Sequence, residues 1–460
     1  MSTMKKYDAI IIGSGQAGNP LMFNLAKRGQ KVAMIEKNEL GGACINFGCT
    51  PTKTLIASSN FYHRVQRSEE LGVITNDVEL DFKKVMKRKN NILKAFRNSI
   101  KKGVDRNENI DLYYGVASFI DKNTVNIDLN VGGVEKIEAD NIYINSGAKP
   151  NIIPIDGIEN VKYYDSTSIM ELDELPEHLV IVGTGYIALE FGQMFKRFGS
   201  KVTMIGRGKS IIKREDPDIS ARVQEILEED GIELLLNADT KRVEKVGNKI
   251  NLYIEKDQTE EKVECSHLML ATGRETVTDN LKLENVDVKL DKKGNVQVDD
   301  KLKTNVNNIY ALGDVKGGPQ FTHIAYDDYR IVADNLFGEG NRNINDRLFP
   351  FTLFIEPQLG RVGLTETQAK EKGYDIEVAK LEMKHLGRSI EENITRGFMK
   401  AVIDKETHKI LGVAILGYQG GEIMAMIQIA MMAGMKYEEL RDGIFTHPSL
   451  SEALNILFDI

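Results

Sequence analysis

A strand, a glycine loop, a helix and a second strand follow one another twice in this chain, and that repeat limits the fold more than any other feature. The first copy is YDAIIIGSGQAGNPLMFNLAKRGQKVAMIEK at 7–37, and the second is HLVIVGTGYIALEFGQMFKRFGSKVTMIGR at 178–207. Each opens on four or five consecutive apolar residues, as a parallel strand buried on both faces requires. Each then reaches Gly-x-Gly-x-x-Gly or Gly-x-Gly-x-x-Ala where a helix begins. Such a loop lets backbone approach a pyrophosphate closely and aims free helix N–H groups at it, so both copies predict dinucleotide sites. Alternating strand and helix signals make the chain α/β, with parallel sheets covered on both faces.

A chain of 460 residues is too long for one ordinary core and predicts about three domains. The pattern places boundaries near 148, 275 and 345. Residues 1–148 and 276–345 form one Rossmann-like domain and its return segment, and 149–275 form a second. From 346 to 460 the pattern changes to short strands such as GFMKAVID and ILGVAILG, then a Met-rich helix and a final helix, which is an α+β arrangement. The charged stretch at about 60–105 reads as helical, and its basic runs, such as Lys87-Arg88-Lys89, as a solvated helix face. A net charge of −8 argues against a nucleic-acid partner. No apolar run approaches the ~18 residues that cross a bilayer. The opening MSTMKKYDAIIIGSG flows into a glycine loop rather than a small-residue cleavage site, so a cytoplasmic protein without membrane contact is expected.

The two glycine loops predict different nucleotides. In the first, Gly13, Gly15 and Gly18 are followed at the end of the next strand by Glu36, where a carboxylate can accept from ribose hydroxyls, as suits the adenosine half of FAD or NAD. In the second, Gly183, Gly185 and Ala188 are followed by Gly206 where that acid would stand and by Arg207, with Lys213 and Arg214 close behind. A missing carboxylate and a gained arginine favour a 2′-phosphate, hence NADPH over NADH, rather than plain surface charge.

Only three cysteines are present, at 44, 49 and 265. That is too few for a secreted disulfide scaffold, and the spacing of the first two is not a usual zinc spacing, so no resident metal is expected. Two close cysteines in a reducing compartment point to redox chemistry. Cys265 has no partner in sequence and reads as packing.

The stretch GGACINFGCTPTK at 41–53, with the two glycine loops, GYIALE at 185–190, ATGR at 271–274, GD at 313–314 and THPSLSE at 446–452, resembles the class I pyridine nucleotide-disulfide oxidoreductases. Dihydrolipoamide dehydrogenase, glutathione reductase and mercuric reductase belong to that family, and the resemblance runs end to end. It implies an FAD-binding domain at 1–148 and 276–345, an NAD(P)-binding domain at 149–275 and a dimerisation domain at 346–460. It implies a redox disulfide between Cys44, the thiol that meets the oxidised substrate, and Cys49, which lies against the flavin as a charge-transfer thiolate. Lys53 would approach the flavin N5 and pair with Glu190. Tyr186 would cover the nicotinamide pocket until NADPH displaces it, and Asp314 would hold the ribityl chain. Gly42, Gly147 and Gly273 join the cofactor loops. His447, oriented by Glu452, would be the acid–base group; it lies about 400 residues from Cys49, and in the resembled family this histidine comes from the other subunit, which implies a homodimer. The Met-rich EIMAMIQIAMMAGM at 422–435 then reads as adaptable packing at the dimer interface rather than a soft-metal site. The other six histidines match nothing comparable.

Within the family, GSGQAGNPL, DSTSIMELDELPEHL and REDPDIS are most similar to a mercuric-reductase-like branch, and THIAYDDYRIV, PQLGRVGLTE and LRDGIFTHPSLSE also resemble reactive-chlorine-resistance flavoproteins. Members of the latter group reduce hypothiocyanous acid, and metal-ion reduction has been attributed to them. No cysteine follows Cys265, whereas mercuric reductases carry a C-terminal pair that relays Hg(II), and they depart from the His-Pro pattern kept here. The resemblance therefore implies an NADPH-driven FAD reductase of a small sulfur oxidant, hypothiocyanous acid first, serving detoxification under oxidative stress. A disulfide or a soft metal ion such as Hg(II) or Cu(II) is the alternative substrate. A redox-sensing flavoprotein is the competing class, against which the acid–base pair His447 and Glu452 counts, since a sensor needs none.

Overall fold

The structure, a computed structural model, describes residues 4–345 and 347–460. The chain falls into two compact units. The first comprises the segment ending at Thr54 together with Lys84–Asn151 and Gly273–Arg347; the second comprises Leu55–Lys83, Ile152–Thr272 and Leu348–Ile460.

The first unit is built on β1 (Lys5–Ile12), α1 (Gly18–Lys27), β2 (Val32–Glu36), β3 (Ile110–Phe119), β4 (Thr124–Leu129) and β5 (Val134–Ile144). β3, β2, β1 and β5 lie in that order as parallel strands, with Ile309–Ala311 added beside β5. β3 and β5 outrun the parallel sheet, and their free ends pair through antiparallel β4. The unbroken apolar run of β1 has a simple cause. Ile10 and Ile12 enter one core with Ala33 and Ile35, while Ala9 and Ile11 enter another with Val32 and Met34. Side chains alternate across a strand, so only a sheet covered on both faces uses such a run.

Three helices follow β2: α2 (Gly42–Asn46), α3 (Cys49–Gln66) and α4 (Phe82–Asp105). The helical region expected at about 60–105 is thus interrupted and begins earlier. A 3₁₀ turn at Ser68–Leu71 ends on Gly72, whose φ of 78° is left-handed and stops the helix.

The second unit holds a parallel sheet in the order Glu233–Leu236, Lys201–Gly206, His178–Val182, His267–Leu270 and Tyr163–Tyr164. A three-stranded antiparallel sheet (Ala238–Val246, Lys249–Lys256 and Thr259–Cys265) belongs to it. Cys265 closes that sheet among buried apolar side chains, and burial pushes its thiol up to about 12. Phe351–Leu353, Gln358–Gly363, Ile410–Gly417, Phe398–Asp404 and Ile376–Glu382 form an antiparallel sheet. The Met-rich helix Gly420–Met432 buries Ile423, Met424, Ile427 and Ala430 at helical spacing and leaves Ile429 and Met432 exposed. Among the described residues, no helix is long and apolar enough to cross a membrane.

Candidate active site

Both glycine loops sit at the carboxyl ends of parallel strands. Gly13 follows Ile12, which is in register with Ile35 and Ile144, and Gly183 follows Val182, in register with Ile205 and Leu270. Both take positive φ, 102° and 130°, and a Cβ would lie 2.3 Å from the Asn145 carbonyl at Gly13 and 2.4 Å from the Ala271 carbonyl at Gly183. Only glycine fits where the loop crosses the neighbouring strand so closely.

Around the first loop the hydrogen bonds are dense. Buried Glu36 accepts through one oxygen from the Ser14 amide (2.9 Å) and hydroxyl (2.8 Å), and through the other from the Asn38 amide (2.8 Å). The Asn145 amide group accepts from the Gly18 N–H (2.9 Å) and donates to the Leu312 carbonyl (2.9 Å). It thereby ties α1 to the turn that carries Asp314. A Cβ on Gly42 would come within 2.5 Å of Gly15 Cα, and the Gly41 N–H donates to Ser14 Oγ (3.1 Å). The cysteine loop therefore rests backbone to backbone on the glycine loop.

Cys44 lies in the short α2, which Asn46 pins by donating to the Glu39, Leu40 and Gly42 carbonyls while accepting from Arg97 Nε at 2.6 Å. Cys49 is the first residue of α3, and Lys53 stands one turn further along the same helix. The Cys49 sulfur meets the Thr322 hydroxyl at 3.2 Å, and Thr322 is itself the first residue of the helix Thr322–Phe337. The two thiols are not joined in this structure. The Cys44 thiol is held protonated, well above its ordinary range, first by its hydrogen bond to Cys49 and then by burial, with Thr322 and the Lys53 ammonium opposing.

Asp314 lies in the turn after Ile309–Ala311. Burial pushes its carboxyl up, opposed by Arg274, which donates to it at 3.2 Å. The turn is fixed from below by fully buried Asp328, which accepts from the Gly313 N–H (2.8 Å), Arg347 (2.7 Å) and Lys316 (3.2 Å). A Cβ on Gly147, Gly185 or Gly273 would meet nothing within 4 Å, so the chain leaves open space beside all three.

In the second unit, Arg207, Lys213, Gly183, Gly206, Thr184 and Asp239 help line a cavity of about 180 Å³ beside the glycine loop. Ala188 is fully buried in the helix Tyr186–Phe198. Glu190, on that helix, accepts from the Phe354 N–H at 2.9 Å, and one and two turns on, Gln193 and Arg197 hold Glu356 through bonds of 2.7 and 2.8 Å. Tyr186 donates to Glu215 at 2.7 Å. His447 Nδ1 lies 2.8 Å from Glu452. The histidine side chain is 79% exposed on its own chain and its glutamate 17%, so the pair is built but faces outward.

Residues 7–328 match the family described as pyridine nucleotide-disulphide oxidoreductase, and residues 349–457 match that family's dimerisation domain. The chain belongs to the pyridine nucleotide-disulphide oxidoreductase family. It is an oxidoreductase of that class, and the family binds FAD and a pyridine nucleotide. Among its relatives, the probable pyridine nucleotide-disulfide oxidoreductase RclA of Escherichia coli strain K12 is 41% identical over 461 residues, covering 99% of this chain and 100% of that protein. The mercuric reductase of Staphylococcus aureus is 35% identical over 98% of this chain and 81% of its own. A solved structure of the Cu(II) complex of the HOCl-induced flavoprotein disulfide reductase RclA from Escherichia coli superposes with a TM-score of 0.91, at 40% identity and 99% coverage of both chains.

Sequence reasoning did not single out Ser14, Asn46, Asn145, Thr322 or Asp328. Asn145 alone had a local signal, since it opens the Asn-Ser-Gly exit turn that corresponds to Ala-Thr-Gly in the second fold.

Proposed function

We propose that this protein is an NADPH-driven reductase of a small sulfur oxidant, hypothiocyanous acid in the first place, acting as a homodimer. The geometry of the pair carries the reading: Cys49 opens a helix one turn before Lys53, meets the Thr322 hydroxyl at 3.2 Å and is hydrogen-bonded to Cys44. FAD fits the first fold, where Glu36 and Gly13–Gly18 would hold the adenosine and pyrophosphate and Asp314 the ribityl chain, beside the open space at Gly147. FAD bound there would supply the two-electron chemistry that links NADPH to the Cys44–Cys49 disulfide, with Lys53 in the first unit one turn beyond Cys49 on the same helix. NADPH is assigned to the second fold, with Arg207 and Lys213 on the 2′-phosphate.

Chemistry on the substrate then belongs to this chain's own groups. His447, delivered across the dimer and oriented by Glu452, takes the proton from Cys44. The thiolate attacks the sulfur of HOSCN, a Cys44–SCN bond forms, and the S–O bond breaks as His447 returns the proton to the leaving oxygen, giving water. Cys49 attacks Cys44, expels thiocyanate and restores the disulfide. The balance is NADPH plus HOSCN giving NADP⁺, thiocyanate and water. The exposure of His447, Ile429 and Met432 supports a second copy covering these side chains.

Reduction of Cu(II) by the same thiols is a second reading, favoured by the copper complex of the 40% identical RclA. Stopped-flow NADPH oxidation by the holoenzyme separates the two. Rapid turnover with hypothiocyanous acid that Cys44→Ser abolishes is expected. Full steady-state turnover in Cys44→Ser overturns the proposal, and turnover with Cu(II) alone moves the assignment to metal reduction.

A further inference from the structure

Tyr186 is the first residue of the helix that opens from the second glycine loop, so a nucleotide whose pyrophosphate sits on that helix end must extend past its side chain. The ring is held on both sides. It tilts onto Phe351 with centroids 5.3 Å apart, and its hydroxyl donates to Glu215 Oε1 at 2.7 Å. Glu215 is not a loose surface acid. Arg361 donates to its other oxygen at 2.8 Å, both side chains are buried, and the same guanidinium donates to the Val413 carbonyl at 2.9 Å. The next residue, Asp216, accepts from the Glu366 and Thr367 N–H groups and from buried Lys400. Residues 215–216 are thus fastened on both sides. Movement of the ring would break the bond to Glu215 and leave Glu215 in place.

We propose that Glu215 and Arg361 are positioning residues that latch Tyr186 over the nicotinamide side of the second fold. This rests on the reading of that fold as the NADPH site. The latch makes the open conformer a minority, and a ligand that binds only the open conformer shows its affinity reduced by that fraction. A hydrogen bond to a charged acceptor of this kind shifts such an equilibrium by about tenfold or more. The same 207–216 segment carries Arg207 and Lys213 at the cavity and Glu215 at the tyrosine, so one stretch of chain serves both ends of the nucleotide.

The test is anaerobic stopped-flow reduction of the flavin in the full-length holoenzyme against NADPH concentration, with no oxidant present. Tyr186→Phe removes only the hydroxyl and leaves Glu215 paired with Arg361. Its half-saturating NADPH is expected to fall about tenfold. Glu215→Gln is expected to reproduce that shift and to add nothing in the Tyr186→Phe background. If Glu215→Gln yields no folded holoenzyme, Arg361→Lys takes its place in the same cycle. An unchanged half-saturation in Tyr186→Phe overturns the latch, as does a second-site shift that adds in full to Tyr186→Phe. Repeating the series with NADH gives the same ratio if the latch acts at the nicotinamide end, whatever Arg207 does. The oxidant plays no part in the assay, so the substrate reading can fail separately.

Discussion

The two dinucleotide folds share a backbone device and differ in what secures it. Gly13 and Gly183 each turn beneath the carbonyl of the neighbouring strand at nearly the same distance. Above that turn the first fold is filled with protein: Asn145 binds the Gly18 N–H and the Leu312 carbonyl, and Glu36 is occupied by Ser14 and Asn38. The second has Ala271 where the first has Asn145, Gly206 where a carboxylate would stand, and a cavity lined by Arg207 and Lys213. Their anchors are inverted in charge as well. Below the first, a buried acid, Asp328, is ringed by Lys316 and Arg347; beside the second, a buried cation, Lys400, is ringed by Asp216, Asp218 and Glu366. A loop tied shut by side chains suits a resident cofactor, and a loop left open with cations suits a nucleotide that comes and goes.

Exchanging the third small residue of each loop tests that contrast most severely. A Cβ on Gly18 would stand 2.3 Å from the Gly13 carbonyl and 2.9 Å from Asn145 Oδ1, so Gly18→Ala is expected to yield protein without flavin absorbance and with turnover down about 100-fold or more. Retained flavin would mean the loop is not secured as described. Unpairing the inverted anchor comes next. Lys400→Met leaves Asp216 and Asp218 without their buried partner, and thermal melts should register a loss of about 3–5 kcal/mol. The same cluster sets an acid limit. Against the opposing effect of burial, N–H groups and Lys400 hold Asp216 below its ordinary range, and Lys380 with Lys400 do so for Asp218. Depressed carboxylates contribute stability that is complete above the ordinary carboxylate range, about pH 4, and is lost as pH falls through their lowered values. Acid-melt curves of wild type should therefore show a component below about pH 4 that is smaller in Lys400→Met.

Arg207→Ala should raise the half-saturating NADPH about 10- to 100-fold and leave NADH unchanged, read from steady-state kinetics with both nucleotides. Equal effects on the two would remove the 2′-phosphate from the argument. Asn145→Ala should lower stability by about 1–3 kcal/mol and speed loss of flavin on dilution, because the Gly18 N–H and Leu312 carbonyl lose their partner. Ala188→Gly is the mildest, costing about 1 kcal/mol of helix propensity with flavin retained.

What could be read in the chain was what is local. The glycine spacings and the cysteine pair each lie within one short stretch, and the physics that requires them acts over a few residues. Unit boundaries and fasteners were harder to read for one reason. Asn145 reaches Gly18 across 127 positions, Thr322 reaches Cys49 across 273, and Arg361 reaches Glu215 across 146. No periodicity or spacing announces a partner that only folding brings near. His447 and Glu452 were singled out by the resemblance of THPSLSE to its family, and the five positions between them let a short turn bring the two to 2.8 Å.

The meeting of Cys49 with Thr322 has an energetic corollary. Each residue begins a helix, of 18 and 16 residues, so one sulfur stands at two positive helix ends at once. Negative charge on it is favoured by about 0.3–1 kcal/mol per helix. In the proposed Cys44–Cys49 couple that charge exists only in the reduced state, so both helices would weight the couple towards accepting electrons. At about 30 mV per 1.4 kcal/mol for a two-electron couple, that is a few tens of millivolts. The fold itself thus tilts these cysteines from staple towards relay, before any cofactor is counted.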